Sequence, residues 1–146
     1  MATGTLTIDL DALAANWHAL SRLSGGPAGA VVKADAYGCG AEVVAPRLAR
    51  EGARRFFVAT CEEGARLRGI LGHGPEIKVF SRPMGGATAL IRDHALTPML
   101  NSPEQAARHR AALPDAPYGV QLDSGMNRLG MEAPDWAAAR PALEAG

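Results

Sequence analysis

The stretch Ala30-Val31-Val32-Lys33-Ala34-Asp35-Ala36-Tyr37-Gly38-Cys39-Gly40 decides how the chain is read. Small and β-branched residues at 30, 31, 32 and 34 predict a buried strand, and a lysine is set inside it. In a strand Val31 and Lys33 share one face, while Ala30, Val32 and Ala34 share the other. An unpaired ammonium in such a run carries a heavy desolvation penalty. Burial favours the neutral, nucleophilic amine, which is suited to forming an imine with an aldehyde. Gly38 and Gly40 allow a tight turn directly afterwards.

Outward from this stretch, short apolar runs alternate with Ala-rich helical patterns. Thr5 to Leu10 reads as a first strand, followed by a helix from Leu13 to Leu23 with Asp11 as its N-cap. Ala30 to Ala34 is a strand and Ala41 to Arg50 a helix. Arg55 to Ala59 and Glu62 to Leu71 form the next such pair. Glu76 to Phe80 and Gly86 to Asp93 follow, then Leu96 to Leu100 and a helix capped by Ser102 and running to Ala112. Tyr118 to Leu122 is a last strand, and Pro134 opens the final helix at a first-turn position. The pattern predicts βαβ units and a parallel sheet. The fold class is therefore α/β, a partial TIM-type barrel of about five β/α units preceded by one short N-terminal strand, where eight units close a full barrel. A doubly wound open sheet is the alternative. It lacks a G-x-G-x-x-G after the first strand and a G-x-x-x-x-G-K-[ST] anywhere.

Composition narrows the function. Of 146 residues 47% are hydrophobic, enough for a core. Fifteen basic and fifteen acidic residues cancel, so electrostatics point to neither nucleic acid nor membrane as a partner. No secretory leader pattern opens the chain and no apolar run reaches membrane-spanning length. Cys39 and Cys61 form no disulfide framework and read as reduced thiols of a cytoplasmic protein. His18, His73, His94 and His109 have no metal-ligand spacing and read as surface or capping residues. The acidic pairs Glu62-Glu63 and Asp9-Asp11 read as caps or solvated faces.

The Lys33 stretch resembles the pyridoxal 5'-phosphate (PLP) lysine motif of alanine racemases, AVVKA-[DN]-AYGHG. Leu122-Asp123-Ser124-Gly125-Met126-Asn127-Arg128-Leu129-Gly130 resembles that family's D-[TS]-G-M-x-R-L-G signature. Ile8 to Leu13 with Asn16, and Phe57 to Thr60 with Glu62-Glu63-Gly64 and Leu67-Arg68, are similar to its opening segment and its second strand and helix. The resemblance implies that residues 1–146 are the N-terminal part of a PLP-binding (β/α)8 barrel. The rest of the barrel and a β-rich domain would lie outside them, and the first short strand would pair with that domain.

The resemblance also implies roles. Lys33 would carry PLP as a Schiff base and act as acid/base on one face of the substrate. Tyr37 would contact the cofactor phosphate. Arg128 would contact the PLP phenolic oxygen and face the substrate carboxylate. Met126 would line the pocket, and Asp35 reads as a turn cap. Asp123 reads either as a turn cap or as a partner for an arginine. Cys39 stands where the family has His. Gln121 stands where many members carry a carbamylated lysine, and its amide oxygen is expected to accept from Arg128 as a neutral partner. The activity implied is interconversion of L- and D-alanine for wall precursors by a cytoplasmic homodimer whose other subunit donates the opposite-face tyrosine. By itself the 146-residue stretch would then be inactive. Two alternatives stand beside this: a PLP carrier or homeostasis module, and a non-catalytic fragment.

Overall fold

A computed structural model describes residues 4–81 and 86–144. Five strands form one parallel sheet in the order β1-β2-β3-β4-β5. They are β1 (Ala30–Val31), β2 (Arg55–Val58), β3 (Glu76–Val79), β4 (Leu96–Leu100) and β5 (Gly119–Val120). Each strand lies beside its predecessor in sequence, with registers Ala30↔Phe56, Phe56↔Ile77, Ile77↔Leu96 and Leu100↔Val120. A doubly wound sheet reverses its order at a switch point. This one never reverses, as expected of consecutive units of a TIM-type barrel.

The helices are α1 (Leu10–Leu23), α2 (Lys33–Tyr37), α3 (Ala41–Arg50), α4 (Cys61–Leu71), α5 (Ala87–Asp93), α6 (Pro103–Ala112) and α7 (Ala133–Glu144). Strand residues alternate between two environments. Phe56, Val58, Ile77, Val79 and Leu96 are at most 1% exposed and face the helices. Their neighbours Phe57 and Lys78 are only half-buried on the other face. Val44, Ala45 and Leu48 of α3, Leu67 of α4 and Ile91 of α5 complete the main core. A Cβ on Gly64 would come within 2.9 Å of Leu96, so the missing side chain lets α4 lie close on β4. Leu100, Ala106 and Met131 form a second cluster under Trp136 of α7.

Several boundaries differ from expectation. Residues 4–9 form no strand; helix α1 begins at Leu10. A strand is defined by a hydrogen-bonded neighbour, and none of the five described strands pairs with this segment. The N-cap is Asp9, not Asp11: its carboxylate accepts from Asp11 N and Ala12 N, both at 2.9 Å. Asp11 instead pairs with Arg47 of α3, which also binds Glu51, and Glu51 meets His18 at 2.8 Å. His18 and Arg47 together hold the Glu51 carboxyl below its ordinary range. The strand at Ala30 is two residues long because the chain turns left-handed after Lys33. The strand at Tyr118 is likewise only Gly119–Val120, extended by one bridge between Leu122 and Met131. Helix α4 begins one residue early, at Cys61, because Thr60 Oγ1 accepts from Glu63 N and makes Thr60 the cap. Ser102 caps α6 and Pro134 stands in the first turn of α7, as read. Ala145 and Gly146 lie outside the described residues. His109 is not a surface residue. It is 7% exposed, edge-on to the Tyr118 ring, with Nε2 3.3 Å from Ala116 O. Among the described residues no helix is long and apolar enough to cross a membrane.

Candidate active site

The carboxyl ends of the strands carry catalytic groups in barrel enzymes. A cleft of about 390 Å³ opens there. Val31 and Lys33 enter it from the end of β1, Ala59 from β2, Phe80 and Ser81 from β3, and Gln121 from β5. Tyr37, Arg128 and Leu129 close it from two loops. Lys33, Tyr37 and Arg128, read from segments some ninety residues apart, thus line one space. Val31 and Lys33 do share the cleft-facing side, and Ala30 and Val32 are buried behind it at 4% and 3% exposure.

Lys33 itself is half-buried rather than sunk in the core. The strand ends before it, so its side chain leaves at the rim of the sheet. Its Nζ lies 5.8 Å from the centroid of the Tyr37 ring, a cation–π distance. Neither Lys33 nor Arg128 takes part in an ion pair among the described residues.

The backbone behind Lys33 is unusual. Ala34, Asp35, Ala36 and Tyr37 all have φ between 50° and 55°, so α2 is a left-handed turn. Each L-residue in that conformation costs about 1–2 kcal/mol, so surrounding bonds must hold it. Ala36 N donates to Val32 O at 2.9 Å and Gly40 N to Asp35 O at 2.9 Å. Asp35 Oδ1 accepts from Ala41 N at 2.7 Å, closing the turn that leads into α3. Glu63, from the first turn of α4, accepts from Ala34 N through Oε1 at 2.9 Å and from Ala59 N through Oε2 at 2.7 Å. Reading Glu62-Glu63 as a cap or solvated face missed this. The available signal was Thr60-Cys61-Glu62-Glu63, a capping box. Here its carboxylate reaches past the N-cap residue to the neighbouring β/α connection.

The Arg128 loop is shaped by Asp123 and Gly130. Asp123 Oδ1 accepts from Gly125 N at 2.9 Å and Asn127 N at 3.1 Å. These bonds pull its carboxyl below the usual range. Asp123 is therefore a turn cap and not an arginine partner. Its hold on the loop is present above the ordinary aspartate pKa and fades as pH falls through its lowered value. Asp123 N donates to Met131 O and Met131 N to Gln121 O, at 2.9 and 2.8 Å, closing the loop's base. Gly130 has φ +108°, and a Cβ there would lie 2.7 Å from Asp123 N and Leu122 C. Gly130→Ala is expected to open this base and displace Arg128. Because strain of this kind runs to about 1–3 kcal/mol, cofactor affinity should fall by roughly tenfold or more. Titration of the full-length protein with PLP checks it, and unchanged affinity would mean that the loop's base does not position Arg128.

Two expectations fail at this loop. Met126 is 71% exposed and does not line the cleft, because the Asp123 turn carries it outward. Gln121 does not bond Arg128: its Oε1 is buried without a partner.

An amine, a phenol and a guanidinium facing one cleft, with no carboxylate among the described residues of its lining, suit an anionic phosphate-bearing aldehyde. Buried and unpaired, Gln121 Oε1 adds an acceptor awaiting a donor. The residues present therefore fit PLP.

Comparison with known proteins agrees. Residues 8–146 match the sequence model of "Alanine racemase, N-terminal domain". An alanine racemase of Cereibacter sphaeroides is 65% identical over 149 residues, covering 100% of this chain and 43% of that protein. One of Jannaschia sp. is 60% identical over 143 residues, covering 98% and 42%. The crystal structure of alanine racemase from Bartonella henselae with covalently bound pyridoxal phosphate superposes with TM-score 0.85 at 29% identity, covering 94% of this chain and 40% of that one. That of Streptomyces lavendulae gives 0.83 at 31% identity, covering 97% and 40%. The chain thus spans about 43% of the length of its curated relatives, and by this match over nearly its whole length it belongs to the alanine racemase N-terminal domain family.

Proposed function

We propose that residues 1–146 are the PLP-bearing N-terminal portion of an alanine racemase, which interconverts L- and D-alanine as a cytoplasmic homodimer. The observation that carries this is the convergence of Lys33, Tyr37 and Arg128 on one cleft at the carboxyl ends of the strands. In this reading PLP, when bound, supplies an electron sink that acidifies the substrate Cα–H.

The chain's own residues do the rest. Lys33 Nζ would hold the cofactor through its aldehyde group, and as a free amine Lys33 would take or return a proton on one face of the substrate. The Tyr37 hydroxyl would donate to the cofactor phosphate. Arg128, a permanent cation with a planar fork, orients oxygen anions of cofactor and substrate. Racemisation also needs a base on the opposite face. Of the chain's two tyrosines, Tyr118 is turned away, its hydroxyl 3.5 Å from Leu143 O in α7. Tyr37 stands on the Lys33 side. The second base would therefore come from another part of the whole enzyme or from its partner subunit, as the family resemblance implies.

Borohydride reduction of the PLP-loaded protein, followed by peptide mapping, tests the assignment alongside a D-alanine assay. Label on Lys33 with turnover in the full-length enzyme and none in the 146-residue chain is the expected pattern. Label on Lys33 without alanine turnover at full length would favour a PLP carrier. Label on Lys78, or no label, would overturn the reading.

A further inference from the structure

We propose that Glu63 is a positioning residue for Lys33, acting through the backbone; the inference rests on the assignment of Lys33 above. The ladder between β1 and β2 ends with Val32 N donating to Phe57 O at 2.9 Å. The next outward donor on that edge, Ala34 N, finds no strand carbonyl. It finds Glu63 Oε1 at 2.9 Å, while Glu63 Oε2 takes Ala59 N, just past the end of β2, at 2.7 Å. Lys33 is thus bracketed. The residue before it is tied to β2 by the ladder, and the residue after it is tied to the end of β2 through one carboxylate.

Three features make this a purpose-fitted clamp. A carboxylate only accepts, and its two oxygens match two N–H donors; a glutamine would turn an NH2 toward one of them. Hydrogen bonds to a charged acceptor are the stronger kind, which suits a turn whose next four residues are left-handed. Glu63 also lies behind the strand end. It borders a separate cavity of about 600 Å³ between α3 and α4, with Asp35, Arg66 and Val32, and does not line the Lys33 cleft. It stands outside that lining and bonds Ala34 N, so its influence on Lys33 passes through Ala34.

The test compares Glu63→Gln and Glu63→Ala with Thr60→Ala in the full-length protein. Thr60→Ala removes the cap to Glu63 N but leaves the carboxylate. Two readouts are taken: amide hydrogen exchange of the peptide spanning residues 33–38 without cofactor, and the rate of borohydride-stable labelling at Lys33 with limiting PLP. Loss of a charge-assisted bond predicts about 10- to 100-fold faster exchange and comparably slower labelling for Glu63→Ala, with Glu63→Gln between it and the wild type. Thr60→Ala should lower the melting temperature and change neither readout. Wild-type values in the Glu63 variants, or the full effect in Thr60→Ala, would overturn the proposal. Should Glu63→Ala fail to fold, Glu63→Gln decides. If the wild type itself takes no label at Lys33, the function assigned above fails, and the exchange readout alone decides whether Glu63 holds this turn.

Discussion

Lys33→Ala in the full-length enzyme is expected to abolish the borohydride-stable PLP label and to reduce racemisation below detection. Two losses act together. On the proposed assignment the amine that would anchor the cofactor disappears, and so does the acid/base on that face, whose contribution alone is typically ~100- to 10,000-fold. Folding should survive, because Lys33 is half-buried at the strand rim and makes no ion pair among the described residues. Lys78 is the control. It is the chain's other lysine, on β3 with its Nζ 2.8 Å from Glu76, and Lys78→Ala should retain the label. Circular dichroism confirms the fold and mass mapping locates the label. A Lys33→Ala protein that still carries covalent PLP on this peptide and turns over alanine would refute the assignment.

Arg68→Ala is expected to cost about 3–5 kcal/mol of stability, at roughly 1–3 kcal/mol for each buried acceptor left unpaired. Arg68 is 6% exposed. Its guanidinium donates to four carbonyl oxygens: His94 O, Gly72 O and Pro75 O at 2.8 Å and Ala95 O at 2.9 Å. These carbonyls belong to the end of α4, the turn into β3 and the turn into β4. One planar fork therefore joins three segments, and a cation at the carboxyl end of α4 also suits the helix dipole. Burial draws the Arg68 pKa down, yet arginine remains protonated at any ordinary pH. Truncation leaves four carbonyls without their donor, and each buried orphan adds to the loss. Arg68→Lys should recover only part of it, since an ammonium has three donors and no fork. Urea unfolding followed by circular dichroism measures both variants. A midpoint for Arg68→Ala equal to that of the wild type would show that the network adds nothing beyond packing.

Arg68 also illustrates the limits of reading a chain by pattern. Its neighbour Leu67 fits the core face of α4, but nothing local marks an arginine as buried, because its four acceptors come from segments up to 27 residues away. The same holds for Glu63. Its sequence neighbourhood is a capping box, and a capping box predicts a bond within its own helix. The decisive partner, Ala34 N, lies 29 residues earlier. Asp123 shows the converse. Its acceptors' donors are two and four residues ahead, and a turn cap was one of the two roles legible from spacing alone.

By itself the sequence determined the α/β class and the sequential strand–helix alternation, and it singled out Lys33, Tyr37 and Arg128, which line one cleft. Those follow from local facts: two-residue periodicity in strands, 3.6-residue periodicity in helices, caps within four residues, and motif resemblance. Only the tertiary structure decided that β1 stops at Val31, that the chain then turns left-handed through four non-glycine residues, that Met126 faces outward, and that Gln121 leaves Arg128 unbonded. The first two share one physical reason, while the last two follow from the loop base that Met131 N closes on Gln121 O. Local preference opposes a left-handed turn at Ala34–Tyr37, and it becomes stable only when bonds from α4 and from the adjoining loop reach it, which requires those elements to be already in place.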